Sequence, residues 1–152
     1  MKMKILYTSE MAKETYDARE KKMEWSLEDS GMDLSYVGDE AIILHDGEYC
    51  MIPTGVACQI YDAESSNYEI QVRGRSGLAS KGIFAHMGTV DFGYTGEIRV
   101  VLFNMSGDTR IFTPGERIAQ IVVSKIEKPS VEFVEALEET NRGEKGFGSS
   151  GK

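Results

Sequence analysis

The chain has 152 residues, enough for one domain of the usual ~100–200 residues and for a core that needs no disulfide or metal. Hydrophobic residues make up 41% and charged residues 28%, which excludes a disordered chain. The 17 Lys and Arg against 25 Asp and Glu leave a net charge of −8, the wrong sign for a protein that neutralises a nucleic-acid backbone.

No apolar stretch reaches the ~18 residues of a membrane span, and the charged N-terminus lacks a signal-peptide core. Cys50 and Cys58 each lie in an apolar run, without metal-type spacing to histidines. Both fit small core residues in a reducing compartment. The expectation is a single cytoplasmic domain over residues 1–152.

In chain order, Met3–Tyr7 reads as a first strand. Ser9–Trp25 has no glycine or proline and carries mixed charge. It predicts a surface insert over 9–25, either a helix capped by Ser9 with Ala12, Tyr16 and Met23 inward or a solvated charged loop. Ala41–His45 and Glu48–Ile52 flank Asp46-Gly47, a strong hairpin signal. Pro53-Thr54-Gly55 predicts a turn into Val56–Tyr61, and Tyr68–Arg73 follows. Glu97–Met105 is a long β-branched and aromatic run, then come Thr109–Phe112 and Arg117–Ile126, with Val131–Val134 as a last candidate strand. Many short strands broken by glycine turns predict an all-β barrel or sandwich. The tail from Gly143 has four glycines and one apolar residue, Phe147, and cannot pack a core alone.

Few basic residues are present, and several cluster with glycine. Arg73 and Arg75 precede Ser76-Gly77, Lys81 follows, and Arg142 and Lys145 sit in the tail. Glycine lets backbone N–H groups crowd an anion while Arg and Ser add donors. Two such loops in an acidic protein suit a compact polyanion such as a triphosphate; alone, each is equally an ordinary turn or chain end. Asp33 and Asp91 also lie beside glycines. Such carboxylates hold Mg²⁺ or its waters, take a proton from water, or merely cap turns. His45 and His86 are far apart in sequence, which gives no support to a histidine metal site or a Ser-His-Asp triad.

Taken in order, these segments resemble the five motifs of the trimeric dUTP pyrophosphatases, the dUTPases. Asp29–Leu34 is similar to motif one and Arg75-Ser76-Gly77-Leu78-Ala79 to motif two. Gly88–Gly96 with Glu97-Ile98 is similar to motif three, Gly115–Gln120 to motif four and Arg142–Gly151 to motif five. The resemblance covers about 29–152. It implies a jelly-roll-like β-barrel, a homotrimer with active sites shared between subunits, and Mg²⁺-dependent hydrolysis of dUTP to dUMP and pyrophosphate. A C-terminal arm over 140–152 would close over a neighbour's nucleotide.

By the same resemblance, Asp91 is the general base for the water attacking the α-phosphorus. Tyr94 lies against the deoxyribose and rejects a 2′-hydroxyl, while the motif-three hairpin reads uracil. Asp33 binds waters of Mg²⁺ held mainly by the substrate phosphates. Arg75, Ser76 and Gly77 cradle the phosphates, with Gln120 near the α-phosphate. Phe147 stacks on uracil, and Arg142, Gly148, Ser149 and Ser150 take the γ end.

Three positions depart from the usual pattern. Ala85-His86-Met87 precede Gly88, and His86 either contacts the nucleotide or points outward. Gly74 stands where Pro is common, and Lys145 where a small residue is common. The 9–25 stretch, longer and more charged than the usual link, is also a candidate contact for a protein partner. Two rival readings remain at this stage: a dCTP deaminase-related enzyme, and a nucleotide-gated regulatory protein on the same fold.

Overall fold

A computed structural model of the chain describes residues 1–19, 23–61 and 65–144. Among these, ten strands and two α-helices alternate as β1 (Lys2–Tyr7), α1 (Glu10–Asp17), β2 (Met32–Ser35), β3 (Ile42–Leu44), β4 (Tyr49–Tyr61), β5 (Tyr68–Arg73), α2 (Ser76–Ala79), β6 (Ile83–Ala85), β7 (Gly88–Val90), β8 (Ile98–Asn104), β9 (Arg110–Phe112) and β10 (Arg117–Lys125). One sheet runs β1-β4-β8-β6, a second β2-β10-β5-β7, and β3 pairs with β9 in a small ribbon. Each pairing is antiparallel. The expected all-β, jelly-roll-like architecture is present. No helix among the described residues is long and apolar enough to cross a membrane.

The core follows from period-two alternation. Along β8, Ile98, Val100, Leu102 and Asn104 are buried while Arg99 and Phe103 face outward. They meet Ile52 and Val56 of β4 and Leu34, Ile70, Val72 and Ile121 of the second sheet in one cluster. Asn104, like Ser35 and Thr54, is a fully buried polar residue, and all its bonding capacity is used. Its Nδ2 donates to Leu44 O (2.8 Å) and Asp108 O (2.7 Å), and its Oδ1 accepts from Ser106 N (3.0 Å) and Ser106 Oγ (2.7 Å). The amide thereby ties β3 to the turn after β8.

Several sequence expectations change once tertiary partners exist. Asp46-Gly47 does form a turn, with Gly47 at φ +79° and Glu48 N donating to His45 O. The flanking strands do not pair as a hairpin, however: β3 pairs with β9 and β4 with β8 and β1. Pro53-Thr54-Gly55 is a bulge inside β4 rather than a turn between strands, because the register with β8 shifts between Pro53 and Val56. Gly55 has φ +66°, and a Cβ there would sit 2.4 Å from the Ala12 Cβ, so only glycine fits. Val131–Val134 is not a strand; Val131 and Phe133 are 76% and 97% exposed. A strand needs a partner ladder, and residues 126–144 find none within the described chain.

In the 9–25 stretch, the helix spans only Glu10–Asp17, shorter than the segment suggested. Ser9 caps it as expected, its Oγ accepting from Ala12 N at 3.1 Å. The predicted inner face holds: Ala12 and Tyr16 are fully buried, and Met23 packs against the core. The helix ends as Ala18 N donates to Glu14 O and Arg19 N to Tyr16 O.

Candidate active site

The second sheet brings motif residues together by register. Gln120 on β10 lies opposite Asp33 of β2 on one side and Arg73 of β5 on the other. Motifs one, two and four therefore meet at one end of this sheet. Asp33 is half-buried there, its Oδ1 taking Arg75 Nε at 3.1 Å and its Oδ2 taking Arg117 Nη1 at 2.9 Å. Arg75 also donates Nη1 to Arg117 O at 3.1 Å. Gln120 Nε2 donates to Gly74 O at 3.0 Å, bracing the loop before Arg75. A Cβ on Gly31 would meet Gln120 Oε1 at 2.2 Å, which explains the motif-one glycine.

Helix α2 begins immediately after Arg75. Its first N–H groups, Ser76 and Gly77, have no acceptor within the helix by geometry. Nothing would lie within 4 Å of a Cβ on Gly77, so approach to this backbone is open. An open cleft of about 460 Å³ is lined by Arg75, Gly77, Lys81, Arg110, Arg117 and Glu116, the last paired with Arg110. Oriented donors and cations facing one cleft suit an oligophosphate.

A second cleft, about 480 Å³, gathers His86, Asp91, Tyr94, Glu97 and Arg99. Asp91 starts the turn after β7, where Tyr94 N donates to Asp91 O at 2.9 Å. The Asp91 side chain is exposed and has no side-chain partner among the described residues. Tyr94 donates its hydroxyl to Glu97 O at 2.9 Å. A Cβ on Gly96 would stand 2.5 Å from that hydroxyl, so the motif-three glycine makes room for the ring. Glu97 in turn accepts Gly55 N through Oε1 (2.8 Å) and holds Arg99 Nε through Oε2 (3.2 Å). The expected motif-three hairpin is instead an open turn, since β7 pairs with β5 while β8 pairs with β4 and β6.

The structure therefore divides the predicted residues. Arg75, Gly77 and Asp33 with Gln120 gather at one locus; Asp91, Tyr94 and His86 gather at another. Arg142 is exposed beside a turn in which Gly143 N donates to Thr140 O, and it lines neither cleft. Phe147, Gly148, Ser149 and Ser150, with Lys145, lie outside the described residues. His45 is elsewhere, its Nδ1 3.0 Å from Thr109 Oγ1. Sequence reasoning missed Arg117, which pairs with Asp33, and Arg19, which donates Nη1 to Asp33 O at 3.0 Å. Arg117 carried a signal, standing inside motif four; Arg19 carried none.

No group of three or more His, Cys, Asp or Glu side chains is placed to hold a metal among the described residues. Two carboxylates stand beside the phosphate-type donors: Glu116, which lines the cleft and pairs with Arg110, and Asp33, both oxygens of which already accept from arginines. That donor set does not form a direct cage. It does suit an outer-sphere hold on Mg²⁺, which keeps several waters and takes substrate phosphates as ligands. Both thiols are free. Burial pushes Cys58 up to about 11 and raises Cys50 as well, so neither is a ready nucleophile.

A family model for dUTPase matches residues 23–151. The chain is 43% identical over 125 residues to a deoxyuridine 5'-triphosphate nucleotidohydrolase of Rickettsia bellii, covering 80% of this chain and 81% of that one. It is 47% identical over 127 residues to the enzyme of that name from Chlamydia trachomatis, covering 81% and 85%. Among solved structures, the Staphylococcus bacteriophage 80alpha dUTPase with dUPNHPP superposes with a TM-score of 0.77 at 27% identity, over 99% of both chains. With motif order, sheet architecture and these matches in agreement, the chain belongs to the dUTPase family.

Proposed function

We propose that the chain hydrolyses dUTP to dUMP and pyrophosphate at sites assembled between three copies of itself. The observation that carries this reading is the division of one set of family motifs between two separate open clefts. One cleft offers cations and backbone donors for phosphates. The other offers a carboxylate without a side-chain partner among the described residues, beside an aromatic ring. Neither alone is a complete site for a nucleoside triphosphate; juxtaposed across a subunit boundary, they are complementary.

Exposed apolar surface supports the assembly. Tyr49, Met51, Phe84 and Phe103 project from the outer face of β4, β8 and β6, with the Tyr49 and Phe103 rings 5.7 Å apart. Phe133 and Leu137 of the following chain are 97% and 88% exposed. Contiguous apolar area of this kind is characteristic of surface meant for a partner. The free cysteines and the nucleotide substrate support a cytoplasmic reaction.

In the mechanism, the Asp91 carboxylate orients a water and takes its proton as the oxygen attacks the α-phosphorus. The bond from that phosphorus to the oxygen bridging the β-phosphate breaks, and pyrophosphate leaves. Tyr94, fixed by Glu97 O and given room by Gly96, packs against the sugar where a 2′-hydroxyl would stand. Backbone of the open motif-three turn takes the polar edge of uracil, and His86 is within the same cleft. Arg75, Ser76 and Gly77 hold the phosphates, and Gln120 either braces Gly74 or turns its amide to the α-phosphate. Asp33 would hold Mg²⁺ through water, and the ion, when bound, would offset charge that accumulates in the transition state. Arg142, Phe147, Gly148, Ser149 and Ser150 of the 140–152 arm close the site over the base and γ-phosphate.

The test is pyrophosphate release from dUTP, dCTP, dTTP and UTP, side by side, with Mg²⁺ and with EDTA. Turnover of dUTP alone, abolished by EDTA, is the expected result. Equal turnover of UTP would overturn the role of Tyr94. A monomer by light scattering with full activity would overturn the shared site.

A further inference from the structure

Helix α1 lies outside the residues matched by the family model, yet its contacts end at both halves of the site. Tyr16 is fully buried, and its hydroxyl donates to Thr54 O at 3.0 Å while accepting from Ser35 N at 3.1 Å. It thus links β2, two residues beyond Asp33, to the bulge of β4. Ala12 fills the space beside Gly55, whose N–H is held by Glu97, the residue whose carbonyl also anchors Tyr94.

Arg19 follows the helix. Its guanidinium lies over the Tyr16 ring, 5.1 Å from the centroid, and donates to the Asp33 carbonyl. Asp33 needs such support because β2 is an edge strand, paired among the described residues only with β10. Arg75 and Arg117 take the two carboxylate oxygens, so Arg19 adds the one contact to the Asp33 main chain from the helix side. Burial lowers the Arg19 pKa, and Tyr16 and then Asp33 oppose that shift; arginine remains charged throughout the working pH range.

We propose that Arg19 is a positioning residue for Asp33, fixing the edge-strand backbone so that the carboxylate meets the hydrated Mg²⁺ of the substrate complex. This rests on the role given to Asp33 above. Arg19 touches neither substrate nor metal. Its effect falls mainly on the part of nucleotide affinity that depends on Mg²⁺, because it acts through Asp33; a smaller effect on phosphate binding passes through Arg75, whose Nε Asp33 holds.

The experiment is calorimetric binding of a non-hydrolysable α,β-imido dUTP, with Mg²⁺ and with EDTA, to the full chain and to Arg19→Ala, Arg19→Lys and Asp33→Asn. The affinity gained on adding Mg²⁺ should shrink about tenfold in Arg19→Ala, as expected for a partner outside the metal's own ligands. Affinity in EDTA should fall by less than the Mg²⁺ gain shrinks, and Arg19→Lys, which keeps one charged donor, should recover most of the gain. Thermal midpoints are recorded for each. If Arg19→Ala keeps the full gain while Asp33→Asn loses it, the positioning role is wrong and the reading of Asp33 stands. If Asp33→Asn keeps the gain, that reading fails and the role of Arg19 with it. If Arg19→Ala loses affinity equally with and without Mg²⁺ as its midpoint falls, Arg19 is structural only.

Discussion

The cluster around Asp33 and the cleft around Asp91 are built by opposite means. At Asp33, charges are paired in advance: Arg75 and Arg117 bracket one carboxylate, and Arg19 holds its main chain. At Asp91, the carboxylate is left alone among the described residues, and glycine geometry with main-chain bonds shapes the turn. A binding locus gains from groups held in place before the ligand arrives, since less ordering remains to be done. A general base, the role proposed for Asp91, must keep its lone pairs free for water, so pairing it would defeat that role. The contrast assigns charge preorganisation to one half and an open carboxylate to the other.

The strongest way to break this contrast is Asp91→Asn. Turnover should fall about 10²–10⁴-fold, the usual worth of a general base, with affinity for the imido analogue little changed. An active Asn variant would remove Asp91 from the chemistry. Truncation after Asn141 should come next, lowering turnover about a hundredfold through misplacement of the nucleotide while size-exclusion chromatography still reports the parent assembly. Normal turnover in the truncated chain would show that the arm is dispensable.

Tyr94→Ala should raise UTP turnover relative to dUTP by about 10–100-fold, the range available to a steric pocket. Gly96→Ala should push in the same direction, because its methyl would displace the Tyr94 hydroxyl. Competition assays with both nucleotides read this ratio directly. If Gly96→Ala instead leaves discrimination intact, the ring is not held where the structure places it.

The smallest effect is on stability. Tyr16→Phe leaves Ser35 N and Thr54 O without their buried partner and should cost about 1–3 kcal/mol in denaturant unfolding. Burial pushes the Tyr16 hydroxyl up to about 12, so the folded state favours the protonated phenol. That stability is complete below pH ~10, the ordinary tyrosine value, and is lost as pH rises from there through about 12. The parent should therefore lose stability across that window, and Tyr16→Phe should lose less.

Much of the molecule was legible without tertiary information. The alternation of Glu97–Met105 and the β-branched run of Arg117–Ile126 correspond to β8 and β10, because burial on one face imposes period two locally. Ser9 capping and the inward Ala12 and Tyr16 were equally readable, as caps and helix faces depend on neighbours three or four residues away. The order of the five motifs pointed to the family, and the glycines at 31 and 96 were visible as part of it.

Pairing was not legible. Asp46-Gly47 makes the turn its residues favour, yet β3 and β4 leave it for different sheets, since strand partners are chosen by core packing across long sequence separations. Pro53-Thr54-Gly55 carries every turn signal but bulges within β4, where Ala12 and Glu97 close around Gly55. Arg19 sits in a charged stretch that reads as solvated surface, and only the fold carries it to Asp33. The residue types, their local periodicities and the motif order pointed to the family and to the chemistry proposed for it. Which strand lies beside which, and hence which charges meet and which stay apart, was decided by the burial of one shared core.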